Sequence, residues 1–156
     1  MNRQRLLIMG LAIALCLGVG GIGSAARRAP RGFIQLVTLG LTSPPKTTGP
    51  CPATIKFVAG FEGSAPKEIV GKKVTVKYAI VRSDQGKQEG TKTPTVSLLN
   101  TTQGPVGYFK EVWDYTWTIG GPGKSESFSE WVMLKTLSPT ERESLKAEFQ
   151  VVCTRK

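Results

Sequence analysis

The chain is 156 residues long, with 21 lysines and arginines against 11 aspartates and glutamates, three cysteines and no histidine. Without an imidazole, neither Ser-His-Asp nor Cys-His nucleophilic catalysis nor the usual histidine-bearing zinc site can be assembled. The formal charge of +10 falls on scattered lysines such as Lys67, Lys72, Lys77 and Lys87 and not on a basic run, which points to a solvated surface and away from a specific nucleic-acid partner.

Residues 1–26 have the make-up of an export signal. Arg3 and Arg5 give a basic start, Leu6 to Val19 is an uncharged apolar stretch, and Ser24-Ala25-Ala26 offers a small-residue cleavage site. The apolar stretch is shorter than the roughly 20 residues that span a bilayer as a helix. Contact with a membrane is therefore expected only in transit, with a retained anchor as the alternative, and the mature protein is expected to be secreted or periplasmic. Cys16, with Leu15 directly before it, goes with the signal and is not a lipid-attachment site. Residues 27–32 form a short extension and residues 33–156 one domain, a length that suits a single hydrophobic core.

From Phe33 onward the alternation of apolar and polar residues has a period of two nearly throughout, which predicts an all-β domain. Phe33 to Thr42 reads as a first strand, of edge type, stopped by Ser43-Pro44-Pro45. Cys51, Ala53, Ile55, Phe57 and Ala59 share one parity in a second strand that should end around Gly60 to Gly63. Val74 to Ile80 forms a third, followed by the turn residues Ser83-Asp84-Gln85-Gly86. Thr93 to Leu99 is a weaker strand and Asn100 to Pro105 a loop. Phe109 to Ile119 is the strongest, ended by Gly120-Gly121-Pro122-Gly123. Phe128 to Leu137 follows, then Thr140 to Ser144, which could hold a helical turn. Last comes a strand with Leu145, Ala147, Phe149, Val151 and Cys153 all pointing inward. Seven short strands at near-regular spacing predict an antiparallel two-sheet sandwich. Cys51 and Cys153, the two cysteines of the exported part, are expected to form a disulfide.

Several stretches together resemble the immunoglobulin-like domains of exported bacterial proteins of unassigned function. They are Gly49-Pro50-Cys51-Pro52 with Ile55 and Phe57, Val74-x-Val76-x-Tyr78 leading to Arg82-Ser83-Asp84, Trp117, Trp131 with Leu134, Ser138-Pro139, and Ala147-x-Phe149-x-Val151-x-Cys153. The likeness spans Phe33 to Thr154 and implies an immunoglobulin-like sandwich, a fold that hosts many unrelated roles. It departs from antibody domains in the placing of its cysteines and in Val151, which stands where a tyrosine corner would place Tyr.

Candidate chemistry is sparse. Trp113, Tyr115 and Trp117 share one parity and would make a sugar-stacking platform if they faced solvent; Ile119 on the same parity favours a core-facing row. Asp114, with Glu111, Glu126 and Glu130, supplies carboxylates for glycosidase-type acid and base work if two of them meet in a cleft. Asp84 with Glu89 lacks the acidic cluster of a calcium loop, and Lys124-Ser125 after the glycine turn lacks the setting of a phosphate loop. Asn100-Thr101-Thr102 matches a glycosylation sequon, which matters only in a eukaryotic secretory pathway. No catalytic residue, metal or cofactor is assigned. The expectation is an exported, non-catalytic binding domain for a protein or glycan partner; the alternatives are a small carboxylate-based hydrolase and a structural envelope component binding anionic polymer or membrane surface.

Overall fold

The computed structural model describes residues 32–155, so the expected export signal and most of the short extension expected after it lie outside the described residues. Ten strands run in the order β1 (Phe33–Leu41), β2 (Lys46–Pro50), β3 (Ala53–Ala65), β4 (Val76–Arg82), β5 (Lys87–Lys92), β6 (Ser97–Thr101), β7 (Gly104–Ile119), β8 (Ser127–Ser138), β9 (Arg142–Glu143) and β10 (Ala147–Thr154), with one 3-10 turn at Lys67–Ile69. They form a four-stranded sheet ordered β1-β3-β7-β6 and a six-stranded sheet ordered β2-β10-β8-β4-β5, with β9 also paired to β8. The two sheets face each other as an immunoglobulin-like sandwich, as the alternation of the sequence predicts.

The core is what alternation on two facing sheets produces. Ile55, Phe57, Ala59 and Phe61 of β3 and Phe109, Tyr115, Trp117 and Ile119 of β7 meet Val76 and Ile80 of β4, Val132 and Leu134 of β8, and Phe149 and Val151 of β10. The aromatics pack edge-on: the rings of Trp117 and Phe149 stand 5.7 Å apart at 85°, and those of Phe57 and Phe149 5.6 Å apart at 67°, the arrangement that ring quadrupoles favour. Thr136 is fully buried, and its hydroxyl is satisfied by donation to the Thr140 carbonyl at 2.8 Å.

The structure corrects several expectations. The sandwich is not wholly antiparallel, because β2 lies parallel to β10, pairing Lys46 with Gln150 through Pro50 with Thr154. The second strand does not end at Gly60–Gly63 but runs through both. Gly63 pairs with Ile34 and Phe109 in the ladder, and glycine is needed there because a side chain would strike the Phe109 ring and the Phe33 carbonyl. Asn100–Pro105 is not a loop: it holds the end of β6, the turn at Thr102-Gln103 and the start of β7, with Thr101 opposite Gly104. Thr140–Ser144 makes no helical turn, since Arg142 and Glu143 pair with Thr136 and Lys135 of β8. Leu145, expected to point inward, is 89% exposed, because β10 begins only at Ala147.

Cys51 and Cys153 are bonded, with Cα atoms 5.3 Å apart and a sequence separation of 102. Cys51 stands between β2, in one sheet, and β3, in the other, so the bond staples the corner at which the chain changes sheets. Gly120 closes that corner from the far side. Its φ is +83°, and a Cβ there would lie 2.9 Å from both sulfurs, so glycine is required twice over.

Candidate functional site

Trp113, Tyr115 and Trp117 face the core. Tyr115 and Trp117 are buried and Trp113 is half-buried against Phe61 and Tyr78, with ring centroids 5.8 Å and 4.8 Å away. A solvent-facing platform is thus not what the row builds: β7 turns this parity toward the other sheet, where the rings fill space. Cations lie over the two indole rings, Arg82 4.9 Å from the Trp117 ring centre and Lys92 4.8 Å from that of Trp113. Burial raises the Tyr115 phenol pKa, and the nearby Arg82 works in the opposite direction.

The four carboxylates are dispersed, each with a separate surrounding. Asp114 is exposed on the outer side of β7 in a shallow hollow with Thr42, Lys56 and Thr116. Glu111 has the opposite parity and lies 3.9 Å from the Lys92 ammonium. Glu126 sits between β7 and β8 beside Lys124, and Glu130 on β8 accepts a hydrogen bond from the Ser83 hydroxyl. Asp84 is an ordinary turn residue whose carboxylate accepts from the Gly86 amide at 2.8 Å and from Arg82 Nε at 3.1 Å. Glu89 pairs with Lys87 at 2.6 Å, which holds its carboxyl below the usual range. Among the described residues, no group of three or more histidine, cysteine, aspartate or glutamate side chains is placed to hold a metal ion.

What stands out is the outer face of the four-stranded sheet. The registers put Leu36 opposite Glu62, Thr38 opposite Gly60, Gly60 opposite Val112 and Glu62 opposite Lys110, so these residues share one side. Leu36 and Val112 are about half exposed, at 48% and 52%. Between them Gly60 leaves a dimple floored by backbone; a Cβ there would come within 3.1 Å of the Glu111 carbonyl and 3.3 Å of Val112 Cγ2. Beside the dimple Tyr108 donates its hydroxyl proton to Glu62 at 2.7 Å, and the Lys110 ammonium lies 3.9 Å from the same carboxylate. The hydrogen bond to Glu62 raises the Tyr108 pKa above that of a free phenol. Toward the sheet's end the face continues with Leu99 opposite Val106, both exposed.

None of these residues was among the sequence-based candidates. Their signal was apolar Val112 on the otherwise polar side of β7, together with a glycine in mid-strand, a pattern that only the pairing register turns into a surface.

No family model matches the chain, and no curated protein sequence matches it. Among solved structures, it is similar over 80% of its length to a CARDB domain from Pyrococcus furiosus solved in complex with di-metal ions; the match covers 96% of that chain, at 13% identity and a TM-score of 0.41.

Proposed function

We propose that this is an exported, non-catalytic interaction domain that holds a protein partner on the outer face of its four-stranded sheet. One observation carries the proposal: exposed Leu36 and Val112 flank the Gly60 dimple, with the Glu62, Tyr108 and Lys110 polar group at its rim. The solvent side of an antiparallel sheet is normally polar, and exposed apolar side chains with a polar group at their rim on a flat surface suit a protein contact. A protein is favoured over a glycan because sugar stacking needs an exposed aromatic platform, and the rings of Tyr115 and Trp117 are taken up by the core. Carboxylate hydrolysis is disfavoured because Asp114, Glu111, Glu126 and Glu130 have separate surroundings and do not line one cleft. Export is supported by the disulfide, which suits an oxidising compartment, and by the composition of residues 1–26.

The test presents the immobilised oxidised protein to the envelope and extracellular proteins of its source cells and, separately, to a glycan array. Saturable capture of a defined protein is expected, weakened by Val112→Lys and unchanged by Lys87→Glu on the far edge of the other sheet. Glycan binding in place of protein capture, or equal capture by wild type and Val112→Lys, would overturn it.

A further inference from the structure

A sheet edge carries unpaired amides and carbonyls, and folded proteins guard such edges with charge, proline, bulges or cover. Among the long edge strands of the described residues, all but one are guarded. Strand β5 carries Lys87, Glu89 and Lys92; β2 follows Pro44-Pro45 and ends at Pro50; β1 has a register shift between Ile34 and Leu36. Strand β6, Ser-Leu-Leu-Asn-Thr, has none of these. All five of its residues are exposed, and no charged residue stands anywhere between Lys92 and Lys110 in a chain of formal charge +10.

Its free groups can be identified. Pro105 has no N–H, so its pairing with Asn100 is at a position where neither residue bonds across the ladder. Leu99 and Thr101 therefore turn their backbone groups toward β7, while Leu98 and Asn100 turn theirs away. Val96 has the same parity as the second pair. On the side away from β7 its amide donates to the Lys72 carbonyl at 2.9 Å, and its carbonyl accepts from the Gly71 amide at 2.8 Å. The Gly71–Lys73 segment thus covers the first part of this edge and stops, leaving the amides and carbonyls of Leu98 and Asn100 open.

We infer that β6 pairs with β6 of a second copy of this chain, antiparallel about a twofold axis through Leu99. In that register Leu98 faces Asn100 of the second copy and Asn100 faces its Leu98. Every open amide meets an open carbonyl, so all the free groups on both edges are used. A register shifted by one position either way about a twofold would set Leu98 against Leu98 or Asn100 against Asn100, and would carry the ladder into Val96, whose groups are taken, or into the turn at Thr102. Self-complementarity of this kind is what an isologous contact needs, and the lack of charge on β6 itself lets the edges of two strongly basic molecules approach with no like charges in the paired strands. The Leu99 side chains meet across the axis beside Val106, and the two four-stranded sheets merge into one of eight strands. The outer faces proposed above for a partner become continuous, although the pairing does not depend on that proposal.

Sedimentation velocity on the oxidised protein, from micromolar to millimolar concentration, tests the pairing together with cysteine cross-linking. A monomer–dimer equilibrium is expected, strengthened by added salt because salt screens the repulsion of two basic molecules. Leu99→Lys sets like charges across the axis, and Asn100→Pro removes an open donor without touching the β6–β7 ladder; each should weaken the dimer by about tenfold or more. Leu99→Cys should cross-link two copies on oxidation, whereas Ser97→Cys, displaced from the axis, should not. A monomer at every concentration, a dimer indifferent to both Leu99→Lys and Asn100→Pro, or equal cross-linking from Ser97→Cys would each overturn the proposal. Preference of the edge for another protein's strand would appear as a monomer alone and so count against it.

Discussion

At the scale of single residues, the aromatic side chains of β7 divide by parity into structural and surface roles. Trp117 is 7% exposed and lies edge-on to Phe149. Trp117→Ala should therefore destabilise the fold by about 3–5 kcal/mol in urea denaturation, where loss of a surface platform would leave stability nearly unchanged. Tyr108, one parity over, is a surface group tied to Glu62. Its raised pKa fixes the sign of its linkage to folding: the contribution is fully present below the ordinary phenol value of about 10 and is lost as pH rises through the raised folded value. Ultraviolet titration should show two tyrosines, Tyr108 and the buried Tyr115, ionising above the free-phenol range. Glu62→Gln should lower the Tyr108 value and leave Tyr115 where it is, because an amide accepts the phenol proton's hydrogen bond more weakly than the carboxylate and removes the charge that opposes the phenolate.

At the scale of elements, the legible parts of the fold were those that alternation alone determines. Cores of β3, β7, β8 and β10 followed from Ile55 and Phe57, from the Trp113, Tyr115 and Trp117 row, from the Phe128 to Leu137 stretch with Leu134, and from Phe149 with Val151. Strands β2, β5 and β9 escaped because Lys-Thr-Thr-Gly-Pro, Lys-Gln-Glu-Gly-Thr-Lys and Arg-Glu offer no apolar side to detect; such strands exist only because a neighbour's ladder holds them. Strand β6 was displaced for a different reason. Asn100 and Gly104 carry turn chemistry, and nothing in the sequence says that the reversal takes only Thr102 and Gln103. The surface site was illegible because it depends on register: Leu36, Gly60 and Val112 meet only when β1, β3 and β7 are aligned. The edge makes an element-scale prediction. In dilute protein, the amides of Leu98 and Asn100 should exchange hydrogen fast and those of Leu99 and Thr101 more slowly, an alternation readable by NMR; at high concentration the first pair should gain protection.

At the scale of the whole molecule, the disulfide acts on the unfolded chain as much as on the folded one. Closing a loop with a sequence separation of 102 is worth about 4–5 kcal/mol in the chain-entropy account. The paired change Cys51→Ala with Cys153→Ala should lower the denaturation midpoint accordingly, with wild type under reductant moving to nearly the same place. The closed ring also has an inside and an outside. Strands β3 to β9 and nearly all of β10 lie within it, while β1 and β2 precede Cys51, so covalently the molecule is a lasso with a two-strand tail. A protease that severs the hairpin tip at Thr102-Gln103 therefore releases nothing: the halves stay joined through sulfur and part only when a reductant is added. A cut ahead of Cys51 can free the tail without opening the ring, so the order in which fragments appear, with and without reductant, records where in the lasso the chain was first exposed.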